Sequence, residues 1–250
     1  MSKEERYFNF PISLLDGFMS DSRRVMDDIC DYAIYGYMVA NKCEFDEAAE
    51  RLGVNLGDRD KSYKNGSYKF HQCYNHKEKR FSGISVPLFF EYYKHNKSDF
   101  DKAVLLAFMA LKSIVGNKRY YKLTKQQIWY NRMAGKKDKS KTLPKEVAKY
   151  CTRYQIGKIK VELFNSFNVS FYAYHTRGQY VSLKLSVEEL AQVAESHKQS
   201  TKQKRMSQAT IEAYQKAKSA SDTATAKELK RIHDFLSKHP ELKDKIIDFQ

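Results

Sequence analysis

The sequence predicts a mainly α-helical fold with a small β-hairpin. Only four prolines and ten glycines occur in 250 residues, which favours long regular elements. Residues that cap helices recur along the chain, and apolar residues follow them at helical spacing. Near residue 169 the apolar period changes from helical to alternating, which is typical of strands. We therefore expect mainly helices before this point and a hairpin directly after it.

Residues 1–97 are expected to form an N-terminal helical region. Asp21 or Ser20 can cap its first helix, because both are good N-terminal caps. Apolar residues recur at helical spacing after this cap, at Val25, Ile29, Ala33 and Tyr37, with Ile34 and Met38 beside them. A stripe of this width predicts one helix that buries a single face.

The rest of this region is predicted less uniformly. EFDEAAERL forms a short helix that Gly53 ends, because glycine favours the position after a helix. Residues 54–81 are polar and rich in tyrosine, and they predict a short helix with loops. Ser85 begins another helix, with Pro87 in its first turn.

Residues 98–197 give sharper signals. Ser98 and Asp101 form a pattern like a capping box, Thr124 can cap a second helix, and Pro144 suits the first turn of a third. The predicted elements are a helix over 99–115, a strand over 120–123, helices over 125–134 and 144–164, and a hairpin over 168–185. Gly178 is available for the hairpin turn.

The end of the chain is predicted as a basic linker and a helical tail over 198–250. Ser186 and Glu189 form a capping box for a helix that runs to about Ser196. HKQSTKQKR then predicts a solvated linker, and the alanine- and lysine-rich remainder predicts two helices around Pro240. This tail is a candidate surface for a protein partner.

Positive charge is concentrated in one segment. The chain has a formal charge of +15, and residues 118–160 alone hold 14 Lys and Arg against Asp138 and Glu146. This segment therefore carries +12 of the total. A local excess of this kind indicates an anionic partner, and nucleic acid is favoured over a membrane because no apolar run approaches the roughly 20 residues that span a bilayer. A lysine-rich solvated surface is the alternative.

The order of elements over 99–185 resembles the winged helix-turn-helix superfamily. YYKLTKQQIWYNRMAG is similar to the family pattern in which a strand ending in Leu-Thr leads into a core helix. The resemblance covers about a third of the chain and is one of topology. Two departures are the long connection over 135–143 and the length of the third helix. The resemblance implies a DNA-binding module whose third helix and wing contact the duplex.

Lys145, Lys149 and Arg153 follow one another at four-residue spacing, which predicts one basic face on the third helix. Arg177 lies at the hairpin tip, where it either enters a minor groove or is an ordinary solvated residue. Gln155 or Arg153 is expected to reach base edges, with lysines on phosphates. The predicted contacts are Lys125, Lys136, Lys137, Lys139, Lys141, Lys145, Lys149, Arg153, Gln155, Lys158 and Arg177.

Other chemistries are less well supported by the residues. His71, Cys73 and His76, with Cys43, lack the paired spacing of structural zinc sites, so we expect no metal and no cofactor. Nucleotide hydrolysis is not indicated, because neither a Walker A nor a G-x-G-x-x-G motif occurs. The chain has 18 tyrosines, but it lacks the His-x-His metal pair that relaxase-like enzymes need beside a nucleophilic tyrosine. The scattered cysteines favour reduced thiols and a cytoplasmic location.

Three hypotheses remain. The first is a non-enzymatic protein that binds double-stranded DNA, as a regulator or as a replication initiator of phage, plasmid or mobile-element type. The second is a structural subunit of a nucleoprotein assembly that docks through the C-terminal tail. The third is an RNA-binding factor; the helix-plus-wing order favours DNA over RNA.

Overall fold

The protein is mainly helical, with two small antiparallel sheets, in a computed structural model that describes residues 6–95, 97–173, 178–222, 234 and 237–238. Its helices are α1 Ser22–Asn41, α2 Phe45–Leu52, α3 Arg59–Asn75, α4 Val86–Lys94, α5 Asp99–Val115, α6 Gln126–Met133, α7 Lys145–Ala148, α8 Arg153–Phe167 and α9 Val187–Asp222. Its strands are β1 Tyr7–Pro11, β2 Phe81–Ser85, β3 Tyr121–Leu123, β4 Ser170–Tyr172 and β5 Gln179–Ser182. The mainly α class with a small hairpin is confirmed.

Several predicted caps are confirmed, but Thr124 does not cap α6, because the residue before this helix is Lys125, which forms no side-chain capping hydrogen bond. Asp21 caps α1 by accepting from the backbone N–H of Arg24 at 3.0 Å. Gly53 ends α2 with φ +74°, the left-handed conformation that glycine adopts at low cost. Ser98 and Asp101 form the capping box of α5. These signals lie within a few residues of the helix that they control, which is why the sequence predicts them well.

Two elements of the N-terminal region differ from the prediction. Helices and loops were expected in this region and no strand, yet β1 pairs with β2 from Tyr7 opposite Ser85 to Pro11 opposite Phe81. The segment expected to hold a short helix with loops contains the 17-residue α3. This helix lies close against α1, since a Cβ on Gly66 would stand 2.4 Å from the carbonyl oxygen of Asp31.

The predicted long third helix over 144–164 is wrong. It is divided into α7 and α8. The backbone N–H of Cys151 bonds to the carbonyl of Ala148, three residues back, which tightens the end of α7. Thr152 is extended, and its hydroxyl accepts from the backbone N–H of Gln155 at 3.3 Å, so that it caps α8. A new cap at Thr152 restarts the helix in place of continuing it.

The hairpin strands form a three-stranded sheet in which β5 lies between β3 and β4. Both faces of this sheet are covered. Phe171 lies 6.1 Å from the ring of Trp129 in the main core, while the opposite face contributes Tyr180 to a smaller cluster with Leu185 and Leu190. The predicted alternation is therefore present, with apolar neighbours on each side.

The chain divides into two compact units, 1–194 and 195–250. In the first unit, one continuous core joins residues from Phe8 to Val181, so the predicted N-terminal region and the β3–β5 sheet share buried neighbours. The proposed division at residue 97 stays a prediction. No helix in the described ranges is long and apolar enough to cross a membrane.

Helix α9 is longer than predicted. It continues to Asp222, beyond the predicted end near Ser196, and so includes the segment expected to be a linker. The two helices predicted around Pro240 lie almost entirely outside the described residues.

Candidate nucleic-acid interface

The connection between α6 and α7, residues 135–143, is called the basic loop here. It carries four of the predicted contacts, of which Lys137, Lys139 and Lys141 are exposed. Within the described part of the chain, none of these three lysines forms an ion pair. Three uncompensated charges in five residues therefore face the solvent.

Asn131 fixes the course of this loop from below. Its side chain is fully buried at the end of α6. The amide nitrogen donates to the carbonyl oxygens of Asp138 at 2.9 Å and Ser140 at 3.0 Å, and the amide oxygen accepts from Gln127. Because a buried amide satisfies two loop carbonyls, the backbone that carries the lysines is held in one conformation.

Arg132 occupies the loop's only carboxylate. Its Nε and Nη2 donate to the two carboxylate oxygens of Asp138 at 2.9 and 2.8 Å, and its Nη1 donates to the carbonyl oxygen of Ser113 at 2.8 Å. The hydrogen bonds from Arg132 are the main reason why the pKa of Asp138 lies below its ordinary value. Asp138 is therefore charged and paired with the protein interior, and it does not neutralise the loop lysines.

The N-terminal region also fastens the basic loop. Arg80 donates through Nη1 to the carbonyl oxygen of Lys136 at 2.6 Å, and its Nε and Nη2 bond to Glu78. Gly135 lies so close to the N-terminal chain that a Cβ there would stand 2.5 Å from the backbone nitrogen of Asp16. Sequence reasoning did not identify Arg80 or Asn131, because both act through contacts with residues that carry no motif.

Two predicted contacts are already engaged by distant carboxylates. The ammonium of Lys136 lies 2.7 Å from Asp16, and that of Lys149 lies 3.3 Å from Asp99. The carboxylate beside Lys149 is the main reason that the pKa of this lysine is raised. The sequence count of the basic segment did not include these two acids.

The remaining predicted contacts lie on α6, α7 and α8. Lys145 is the exposed first residue of α7, and Arg153 is the exposed first residue of α8. The break between these helices means that Lys145, Lys149 and Arg153 do not form one helical face, so that prediction is wrong. Lys158 is exposed, with its ammonium 4.6 Å from the ring centroid of Tyr154.

Lys125 and Gln155 stand at helix starts. Lys125 is exposed at the residue before α6, and Gln155 is half-buried in the first turn of α8. Arg177, at the predicted wing tip, lies outside the described residues.

Beneath the hairpin, Lys160 donates to the side-chain oxygen of Gln179 at 2.5 Å. Burial lowers the pKa of this lysine. Lys160 was counted among the basic residues of 118–160, but its side chain is half-buried and does not belong to the exposed basic surface.

The candidate metal ligands lie mainly on α3. Cys73 is buried with its sulfur 4.0 Å from the hydroxyl of Ser13, and the ring of His71 meets those of Tyr35 and Phe70 edge-on. Across the described ranges, no group of three His, Cys, Asp or Glu side chains is arranged to hold a metal ion. The four cysteines are free thiols.

No protein-family model matches this sequence, and no curated protein or solved structure matches it either.

Proposed function

We propose that this protein is a non-enzymatic nucleic-acid-binding protein that contacts double-stranded DNA through the basic loop and the starts of α7 and α8. The main support for this proposal is that the loop lysines are free to bind an anion. Lys137, Lys139 and Lys141 are exposed and unpaired within the described residues, while the one neighbouring carboxylate, Asp138, is bound by Arg132. A surface arranged in this way attracts anions.

A fixed loop gives these lysines an advantage over lysines on a mobile segment. Each lysine that neutralises a phosphate releases a condensed counterion, which provides affinity that falls as salt rises. Because Asn131 and Arg132 already hold the backbone, little conformational entropy of the backbone is lost on binding. Lys145 and Arg153 add exposed positive charge at the starts of α7 and α8.

The order of elements supports duplex DNA over RNA. Helix α5, strand β3, helices α6 to α8 and the β4–β5 hairpin follow the succession of a winged helix-turn-helix. We propose this family relationship on topology, with the third helix divided at Thr152. The paired strands β4 and β5 would then belong to the wing, and α8 would be the helix beside the major groove.

Two acids near this surface support a non-catalytic role. Asp138 is engaged by Arg132, and Asp99 is engaged by Lys149 and, at 3.9 Å, by Lys102. A metal-dependent nuclease needs carboxylates that converge on a metal rather than on lysine and arginine side chains. We therefore propose binding alone, in a cytoplasmic regulator or a phage, plasmid or mobile-element replication initiator, by analogy with winged-helix initiators.

The test is binding of labelled duplex DNA, duplex RNA and single-stranded DNA by fluorescence anisotropy between about 50 and 200 mM salt. We expect duplex DNA to bind most tightly, and its affinity to fall by at least about tenfold across this range. A flat salt response would contradict the proposal, and preferential binding of duplex RNA would replace DNA with RNA as the ligand.

A second candidate function is a structural subunit of a nucleoprotein assembly. Helix α9 has 36 residues, which exceeds the roughly 8–20 residues of most globular helices, and an element of this length offers a surface for a partner. Deletion of residues 207–250 would then abolish assembly in sedimentation experiments and leave DNA affinity unchanged. Retention of assembly by this variant would contradict the second function.

A further inference from the structure

A separate cavity of about 290 Å³ lies between the start of α1, the end of α4 and the start of α5. Its lining combines aromatic rings with cations, chiefly Phe18, Tyr92, Tyr93, Arg23, Lys97 and Lys102. None of the described side chains that line it is acidic.

The cations of this cavity are positioned by its aromatic rings. The guanidinium carbon of Arg23 lies 3.7 Å from the ring centroid of Tyr93, and Arg23 Nη1 donates to the carbonyl oxygen of Tyr93 at 3.3 Å. The ammonium of Lys97 lies 4.9 Å from the ring centroid of Tyr92. Such cation–π contacts hold the charges at the rim of an aromatic wall.

Tyr93 is itself held in place. Its hydroxyl donates to Asp27 at 2.7 Å, and its ring stacks on Phe89 with an interplanar angle of 16°. The carboxylates that accompany the cations, Glu91 beside Lys97 and Asp99 beside Lys102, lie outside the lining. The wall is therefore preorganised. Because Lys97 is already paired with Glu91 at 2.5 Å, a phosphate in the cavity would compete with this carboxylate for the ammonium.

The chemistry of this lining defines its ligand. Aromatic rings favour a flat, apolar group that can stack, whereas several cations around one cavity favour an anion. A nucleotide has both parts, a planar base and a phosphate. Protein sites that bind single-stranded nucleic acid combine stacking platforms with positive charge in the same way. The volume is near the lower end of small-ligand pockets, about 300 Å³, which suits one nucleotide rather than several.

One carboxylate connects this cavity with the proposed DNA interface. Asp99 Oδ2 lies 3.3 Å from the ammonium of Lys149, and Asp99 Oδ1 lies 3.9 Å from that of Lys102. Lys149 follows α7 in the basic segment, and Lys102 lines the cavity. The cavity is therefore linked through Asp99 to Lys149, which follows α7 and precedes the start of α8.

We propose that this cavity binds a nucleoside monophosphate unit, with the base against Tyr92 and the phosphate at Arg23 and Lys97. The source of that unit is an unpaired nucleotide of the DNA bound at the neighbouring surface. The ligand class is inferred from the lining of the cavity alone, whereas the choice of bound DNA as its source depends on the proposed function. A free nucleotide is the other source, and the experiment separates the two.

The first arm is titration of the full chain with deoxyadenosine monophosphate by calorimetry. We compare the wild type with the double variant Arg23→Ala and Lys97→Ala. The matched control is Lys61→Ala with Lys64→Ala, which removes two exposed charges on α3 that line no part of this cavity. Thermal unfolding of all three proteins verifies that each is folded. We expect the cavity variant to bind the nucleotide at least about tenfold more weakly, and the control to match the wild type.

The second arm compares a blunt duplex with the same duplex carrying a short single-stranded thymidine overhang. Tighter binding of the overhang, lost in the cavity variant alone, supports a nucleotide supplied by bound DNA. Nucleotide binding without an overhang effect supports the cavity with a free nucleotide as its source. No binding of the nucleotide, or equal binding by the cavity variant, overturns the proposal. If the wild type binds the nucleotide but not the blunt duplex, the proposed function is contradicted and the nucleotide site in the cavity is supported.

Discussion

The guanidinium of Arg132 bonds to both carboxylate oxygens of Asp138, at 2.9 and 2.8 Å, across the first turn of the basic loop. This pair removes the loop's only negative charge from the solvent side. It also uses the charge of Arg132, which therefore belongs to the scaffold and not to the contact surface. The lysines on either side of Asp138 remain available for an external anion.

Replacing Asp138 with Asn is expected to destabilise the fold. Arg132 is 13% exposed and Arg80 is 17% exposed, so the variant leaves two largely buried cations without their shared carboxylate. We expect the free energy of unfolding in urea to fall by roughly 1–3 kcal/mol. Glu146→Gln is the control, because Glu146 is exposed on α7, and its effect is expected to stay within about 0.5 kcal/mol. Equal effects of the two substitutions would contradict a structural role for the pair.

The same pair predicts a loss of stability in acid. The hydrogen bonds from Arg132 lower the pKa of Asp138 in the folded state. This contribution to stability is therefore fully present above the unfolded-state pKa of about 3.9 and is lost as the pH falls through the lower folded-state value. We expect the urea midpoint of the wild type to fall more steeply below about pH 4 than that of Asp138→Asn. Parallel pH curves for the two proteins would show that the pair is not linked to folding.

Substitution of Asn131 by Ala is expected to free the basic loop. The carbonyl oxygens of Asp138 and Ser140 both lose a buried donor, which costs about 1–3 kcal/mol. Hydrogen exchange should then become faster across residues 136–142. Gln127→Ala is the graded control, since Gln127 bonds to Asn131 and not to the loop. Unchanged exchange in the Asn131 variant would mean that the loop is held by other contacts.

The division of the third helix predicts unequal roles for three basic residues. Lys149 is paired with Asp99, whereas Lys145 and Arg153 form no ion pair within the described residues. We expect Lys145→Ala and Arg153→Ala each to weaken duplex binding several-fold, on the order of one phosphate contact, and Lys149→Ala to weaken it less. A larger effect at Lys149 than at Lys145 and Arg153 would contradict these unequal roles and would favour one continuous basic helix face.

The sequence predicted those parts of the fold that are encoded locally. The Asp21 cap, the capping box at Ser98 and the glycine after α2 each act within one helical turn, and each was predicted correctly. The cap at Thr152 is also local, but the continuing apolar residues around it suggested an unbroken helix. The signal that could have found the break is a threonine followed three residues later by Gln155.

The remaining differences come from contacts between distant residues. Tyr7 pairs with Ser85 in a short sheet, and neither strand has a strong pattern of its own. Lys136 meets Asp16 across 120 positions. A count of charges along the segment therefore gave the correct location for positive charge but could not show which cations are already paired.

Removal of the three exposed loop lysines is the strongest test of whether the basic loop contacts duplex DNA. The variant Lys137→Ala, Lys139→Ala, Lys141→Ala is compared with Lys61→Ala, Lys64→Ala, Lys79→Ala, which removes the same charge from exposed sites outside the loop. Both are titrated with duplex DNA across the salt series. We expect the slope of log affinity against log salt to become shallower by up to roughly 2.7 for the loop variant, at about 0.9 per phosphate, and to stay unchanged for the control. Equal slopes in the two variants would contradict this contact.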